Sequence, residues 1–167
     1  MRTRSYQRTS TLVLGSIIFF AWWMGAETNR SSAQDRFALS DRAQAIKAAD
    51  IVRDPSDLPA RIGNRPPAVV RVTLTSKELV GVLDAATGTT YRYWTFDGKV
   101  PGPFIRVRQG DTVELTLKNA KDSTMVHSVD FHAAIGPGGG AALTQVPPGQ
   151  SKTFAFLATT PGLFVYH

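Results

Sequence analysis

The sequence predicts an all-β domain, an antiparallel β-sandwich or barrel, preceded by an N-terminal arm that contains one weak helix. Three observations carry that expectation. Apolar residues alternate with polar ones in short runs, as where Val113, Leu115 and Leu117 interleave with Thr112, Glu114, Thr116 and Lys118. A period of two marks a half-buried strand. Turn-forming glycine, proline and Asp-Gly signals interrupt these runs roughly every 8–12 residues, the rhythm of a sandwich or barrel. The segment Tyr91–Phe96 adds an aromatic, β-prone run.

The first 33 residues read differently. Arg2, Arg4 and Arg8 precede an apolar run from Thr11 to Ala26, and a polar stretch then ends in Ser31-Ser32-Ala33. A basic start, a short apolar core and small residues at −3 and −1 predict a secretory signal over 1–33, cleaved after Ala33. The alternative is an uncleaved anchor, but the run is slightly short for a span of about 20 residues. No adjacent arginines form a twin-arginine signal. Removing 1–33 lowers the formal charge from +6 to +3, with 15 basic and 12 acidic residues left. That weak charge, without a basic stripe interleaved with aromatics, argues against nucleic acid as a partner. The absence of cysteine rules out disulfides and a cysteine-linked lipid. An exported domain of this kind is held by its core, by metal or by partner subunits, and 43% apolar residues suffice for one core.

Residues 34–68 are expected to form the arm and a linker. Ala43, Ile46, Ala49 and Ile51 recur near helical spacing, with Ser40 or Asp41 as a possible N-cap. Asp54-Pro55 and Leu58-Pro59 end any helix, and Gly63, Pro66 and Pro67 mark the linker. From residue 69 to 167 the β pattern holds. Val70, Val72 and Leu74 alternate with Arg71, Thr73 and Thr75; Leu79–Leu83 is a second apolar run; 85–90 turns the chain. Tyr91–Phe96 closes on Asp97-Gly98, a favoured hairpin pair. Val100-Pro101-Gly102-Pro103 is a rigid loop, and Ile105 with Val107 predicts a short strand ending at Gly110-Asp111. After the strand around Leu115, Met125–His132 predicts another. Gly136-Pro137-Gly138-Gly139-Gly140 is a loop without the Lys-Ser/Thr that would make it a phosphate cradle. Phe154 and Phe156 sit on a further strand, and Leu163–His167 opens a last one.

The chemistry concentrates in Met125–His132, which holds two of the three histidines; the third is His167. On a strand, Met125, His127, Val129 and Phe131 share one face and Val126, Ser128, Asp130 and His132 the other. The first face is apolar apart from His127 and points inward. The two histidines are an odd number apart, so one regular strand cannot aim both at one ion. Two sites are expected: His127 inside, and Asp130 with His132 outside. His167 shares a face with Leu163 and Val165 and joins the outer pair if the two segments are neighbours. A lone strand histidine is more often a hydrogen-bonded core residue, and a lone aspartate more often a structural acceptor. The confinement of all three histidines to two segments raises the metal reading. Imidazole suits copper, zinc, iron and nickel alike.

Tyr91-Arg92-Tyr93-Trp94-Thr95-Phe96-Asp97-Gly98, Val100-Pro101-Gly102-Pro103 and Arg106-Val107-Arg108-Gln109-Gly110-Asp111-Thr112-Val113 resemble the first cupredoxin domain of the multicopper oxidase superfamily. His127-Ser128-Val129-Asp130-Phe131-His132-Ala133-Ala134, the Gly-rich loop and Pro161-Gly162-Leu163-Phe164-Val165-Tyr166-His167 resemble the copper-containing, nitric-oxide-forming nitrite reductases. The resemblance implies a cupredoxin-like Greek-key β-sandwich over 69–167, incomplete at its C-terminus. It implies His127 as a ligand of a type 1 electron-transfer copper, His132 and His167 as ligands of a type 2 copper that binds nitrite, and Asp130 as the proton-donating carboxylate. The implied reaction is one-electron reduction of nitrite to nitric oxide in the periplasm, by a homotrimer fed by a small copper protein or a cytochrome. The chain departs from the family in having no cysteine: the type 1 thiolate, expected directly after His167, is absent. A fragment inactive by itself is therefore expected. Alternatives are a laccase-type oxidase domain, disfavoured because Ala134 leaves His132 outside a His-x-His pair, and a non-enzymatic exported copper-binding module.

Overall fold

The structure, a computed structural model, describes residues 44–167. The expected signal segment 1–33, the candidate caps Ser40 and Asp41, and Ala43 lie outside the described residues. The elements are a single helical turn, α1 (Ala48–Ile51), and four strands: β1 (Val69–Asp84), β2 (Thr89–Phe96), β3 (Thr112–Asn119) and β4 (Ser151–Leu157). A 3-10 turn occupies Pro137–Leu143. The strands form one sheet in the order β2-β1-β3-β4. Among the described residues no helix is long and apolar enough to cross a membrane.

The two apolar runs expected as separate strands, Val70–Thr75 and Leu79–Leu83, are halves of one 16-residue strand, β1. Its C-terminal half pairs with β2 antiparallel, from Ser76↔Phe96 to Asp84↔Thr89. Its N-terminal half pairs with β3, from Val69↔Thr112 to Ser76↔Asn119. This second ladder is parallel, against the all-antiparallel expectation. The reason is the path of the chain. After β2 it runs back to the start of β1, where Thr112 N–H donates to the Ala68 carbonyl at 3.0 Å, and only then begins β3. β3 and β4 are antiparallel.

Turn chemistry follows the sequence. Asp84 Oδ1 accepts from Ala86 N–H (2.9 Å) and Oδ2 from the Thr87 hydroxyl (2.7 Å), closing the β1–β2 connection. Asp97 and Gly98 both take positive φ, 54° and 75°, as a primed hairpin turn requires.

Other segments differ from expectation. Ile105–Val107 forms no strand; the Arg108 N–H that follows donates to the Asp111 carboxylate (2.8 Å) rather than to a ladder. Met125–His132 is not a continuous strand but touches its neighbours at two isolated bridges, His127↔Val146 and Phe131↔Tyr166. Leu163–His167 likewise contributes only the Tyr166 bridge. The Gly-rich stretch expected as a loop is tightly wound, with 3-10 turns that meet at a kink where Gly138, Gly139 and Gly140 take positive φ. Within the described residues the helical spacing of Ile46, Ala49 and Ile51 does not make one helix: Ala49 and Ile51 lie in α1, and Ile46 bridges Gly81 of β1.

The core lies between the sheet and these bridged segments. Leu74, Leu115, Leu117 and Phe154 from the sheet meet Val129, Phe131 and Val146 from the other side, with Ile105, Phe156 and Tyr166 packed around them. The arm is fastened by its own contacts. Ile46 N–H donates to the Val80 carbonyl and Val82 N–H to the Ile46 carbonyl, both at 3.0 Å. Ile51 is buried, and a Cβ at Gly81 would collide with its Cδ1. The linker is fastened by charge. The fully buried Asp111 accepts both Arg65 guanidinium nitrogens at 2.7 Å, together with the backbone N–H groups of Ala68 (2.9 Å) and Arg108 (2.8 Å). Chiefly the Arg65 hydrogen bonds, against the opposing effect of burial, hold the Asp111 carboxyl far below the ordinary carboxylate range.

Two outcomes are expected. A carboxylate with a depressed folded-state pKa stabilises fully above its unfolded value of about 4 and loses that contribution as pH falls below it. Acid unfolding followed by circular dichroism should therefore shift to higher pH in Arg65→Met; an unshifted acid limb would show that the pair contributes nothing. Gly81→Val should expel Ile51 and cost about 2 kcal/mol, the scale of one exposed isoleucine. The readout is the denaturant midpoint with proteolysis near residue 53, and an unchanged midpoint would contradict the assignment.

Candidate metal centre

The centre is built by a short antiparallel contact between 130–132 and 165–167. Asp130 and His167 exchange both backbone hydrogen bonds, Asp130 N–H to the His167 carbonyl at 2.8 Å and His167 N–H to the Asp130 carbonyl at 3.0 Å. His132 N–H donates to the Val165 carbonyl at 3.1 Å. Phe131 and Tyr166 face each other between these rungs. Side chains alternate along each segment, so the register sorts them. Phe131 and Tyr166 turn inward and stack, centroids 4.9 Å apart and planes at 12°. Asp130, His132 and His167 turn outward on one face, with candidate ligand atoms all within 4.8 Å of one another.

The inner layer fixes that register. The Tyr166 hydroxyl donates to the Pro103 carbonyl at 2.6 Å, and its ring packs on Phe96 with centroids 5.4 Å apart. Burial, aided by Asp97 and opposed by Arg53, pushes the phenol up to about 12. Gly102 leaves room for this contact: a Cβ there would lie 2.5 Å from the Tyr166 oxygen. Gly139 supports the outer layer. Its carbonyl accepts Phe131 N–H at 3.0 Å, its φ is +48°, and a Cβ would collide with Asp130 Oδ1 and with the Phe131 backbone. The 3-10 turn is tied down in turn by buried Thr144, whose Oγ1 accepts Val129 N–H at 3.0 Å and lies 3.1 Å from the Gly140 carbonyl.

His127 stands apart from this group. With Val129 and Phe131 it is buried, as the inward face required, whereas Met125 of that face is exposed because regular pairing begins only at residue 127. Its Nε2 lies 3.1 Å from Glu78 Oε1, and its ring meets the edge of Trp94 at 4.9 Å and 83°. Burial works to raise the Glu78 pKa, but hydrogen bonds from the Thr124 hydroxyl, Met125 N–H, His127 and Thr124 N–H outweigh it and leave the carboxyl below its ordinary value.

Sequence reasoning missed Glu78, Trp94 and Gly139. Glu78 carried a usable signal: on one continuous β1 it has the parity of the inward-facing Leu74, and a carboxylate in a core-facing row calls for a partner. Gly139 carried none, since its role depends on a long-range approach.

The outer donor set fits a transition-metal ion. The two Nε2 atoms of His132 and His167 lie 3.2 Å apart, and two imidazole nitrogens each about 2.0 Å from one tetrahedral ion stand about 3.3 Å apart. Imidazole nitrogen with a nearby carboxylate suits copper, zinc or iron. His127 fits as a single ligand with a carboxylate behind it. The thiolate that a blue-copper centre needs is not among these 167 residues, so that donor set is incomplete in this chain.

Comparison with known proteins narrows the ancestry. Copper-containing nitrite reductase of Neisseria meningitidis serogroup A is 52% identical over 111 residues, 66% of this chain and 28% of the relative. That of Rhizobium sullae is 39% identical over 166 residues, 99% of this chain and 44% of the relative. The chain thus spans less than half the length of these curated relatives. The solved copper nitrite reductase of Nitrosomonas europaea superposes with a TM-score of 0.52 at 49% identity, over 59% of this chain and 34% of that one. A multicopper oxidase of Campylobacter jejuni, at 22% identity and a TM-score of 0.50 over 75% of this chain and 26% of that one, shares the fold. A family model for multicopper oxidases matches residues 81–167, which include His127, Asp130, His132 and His167 and make up just over half of the sequence. By sequence and by fold, the chain belongs to the multicopper oxidase family.

Proposed function

We propose that the chain is the N-terminal part of a copper-containing, nitric-oxide-forming nitrite reductase, with residues 69–167 as its first cupredoxin domain. The observation that carries the reading is the outward cluster of Asp130, His132 and His167. It supplies two imidazoles and one carboxylate on a single face, where a laccase-type cluster needs His-x-His pairs. His132 and His167 are proposed to hold a type 2 copper, which when bound supplies Lewis acidity toward a nitrite oxygen.

The remaining work falls to the chain's own groups. Reduction of nitrite to nitric oxide takes up one electron and two protons and releases water. Asp130 sits beside the two imidazoles and is placed to hydrogen-bond a nitrite oxygen and hand it a proton. Phe131 and Tyr166 behind the cluster exclude water from the inner side and keep the outer face rigid. His127 is proposed as a ligand of the type 1 centre, with the thiolate and the remaining ligands supplied from outside these residues. Delivery of the electron needs that complete donor set, which these residues alone do not supply. The basic start and apolar run of residues 1–33 support export to the periplasm. A homotrimer, and a small copper protein or cytochrome as electron donor, complete the proposal. Among curated relatives of this name, the match covers only part of each chain.

The test is nitrite-dependent nitric oxide formation by the copper-loaded full-length protein. Asp130→Asn should lower the rate about 10²–10⁴-fold, the usual worth of a positioned proton donor, while copper content stays at the wild-type level. Unchanged turnover would remove Asp130 from the reaction, and phenol oxidation without nitrite turnover would favour the laccase-type reading. Gly139→Ala should cost about 1–3 kcal/mol from its left-handed backbone alone. It should also lower copper occupancy at the outer site, because the added Cβ pushes on the Phe131 backbone that positions the neighbouring ligand His132; the readout is metal analysis on folded protein, and full occupancy would show that the turn does not support the cluster.

A further inference from the structure

We infer that Glu78 is the positioning residue for His127: it holds the imidazole in the tautomer protonated at Nε2 and leaves Nδ1 as the free base donor.

The Glu78 carboxylate is enclosed. Its side chain is 2% exposed and that of His127 6%. Oε1 accepts Thr124 N–H and Met125 N–H, each at 2.9 Å, and faces His127 Nε2 at 3.1 Å. Oε2 accepts the Thr124 hydroxyl at 2.6 Å. An ionised carboxylate is an acceptor only, and a neutral imidazole has one donor and one acceptor nitrogen. The nitrogen that faces Glu78 is therefore the protonated one, and the lone pair falls on Nδ1. No hydrogen bond to Nδ1 is formed among the described residues.

The surroundings keep the ring from turning over. The His127 backbone exchanges hydrogen bonds with Val146 at 3.1 and 2.7 Å, and the Trp94 ring stands edge-on to the imidazole. Asn119 Nδ2 donates to the Met125 carbonyl (2.8 Å) and the Val146 carbonyl (2.9 Å), tying the approach to His127 to the segment it bridges. Glu78 thus ties the 124–127 segment to β1 through three donors and selects the tautomer through the fourth. A carboxylate behind a histidine fixes its tautomer and its ring orientation. That Nδ1 then meets copper rests on the function proposed above; the tautomer does not.

Nitrogen-15 NMR of the imidazole in metal-free protein decides the matter. Wild type should show His127 wholly protonated at Nε2 and unprotonated at Nδ1. Glu78→Ala should lose that single state, with an Nδ1–H signal appearing. A wild-type His127 protonated at Nδ1 overturns the inference without recourse to any variant, and so does a folded Glu78→Ala protein that keeps the pure Nε2–H form. Loading the full-length wild type with copper(I) separates the two claims. A shift at Nδ1 alone supports it as the donor, and a shift at Nε2 with Nδ1 unmoved overturns that assignment. Shifts at neither nitrogen would end the metal role of His127, while the Nε2–H tautomer would still uphold the pairing with Glu78.

Discussion

The pairing of Asp130 with His167 is the constraint on which both the core and the outer site depend. Two backbone hydrogen bonds set the register, and because strand side chains alternate, one choice of register decides two layers at once. With Phe131 opposite Tyr166, the aromatic pair fills the interior and the imidazoles and carboxylate are gathered outside. A slip of one residue would put Tyr166 into water and His167 into the hydrocarbon interior. Packing and ligand geometry therefore cannot be lost separately, and the apolar contacts that stabilise the domain also hold the site.

Around that register, close backbone approach does what bulky side chains cannot. Gly139 lets the 3-10 turn lie directly on Asp130 and Phe131, and Gly102 lets the Tyr166 hydroxyl reach the Pro103 carbonyl. Buried polar groups hold the loops that no ladder holds. Asp111 collects two guanidinium nitrogens and two backbone N–H groups, Thr144 ties the glycine turn to Val129, and Glu78 and Asn119 clamp the approach to His127. Such groups are costly to bury without partners and rigidifying when satisfied. They appear where the bridged layer lacks a continuous hydrogen-bond ladder.

Much of this was legible from alternation alone. The inward His127, Val129 and Phe131 and the outward Asp130 and His132 separate as period two requires, and His167 falls on the face expected of it. The strands around Leu115 and Phe154 and the turns over 85–90 and at Asp97-Gly98 were visible because their signals are local. What was hidden depends on partners distant in sequence. Whether Ile105–Val107 forms a strand is decided by whether a ladder partner lies alongside, and there the Asp111 carboxylate takes the next N–H instead. The parallel sense of β1 and β3 follows from the route of the loop between them, which has no periodicity to read. Glu78 falls between the two apolar runs expected as separate strands, and only the continuity of β1 makes it an inward residue.

That continuity has a consequence for the order in which the domain can assemble. β1 serves two ladders end to end, with Ser76 in register with both Phe96 and Asn119. The first joins β1 to its immediate successor through a tight connection, so little chain entropy is lost in closing it. The second must wait until the whole hairpin and the loop beyond it have been threaded back, a non-local pairing of the slow kind. A preformed β1–β2 hairpin presents the N-terminal half of β1 as a ready template, and β3 then docks along a straight edge already held in place. The long strand thus acts as a splint that turns a costly distant encounter into the extension of a local one.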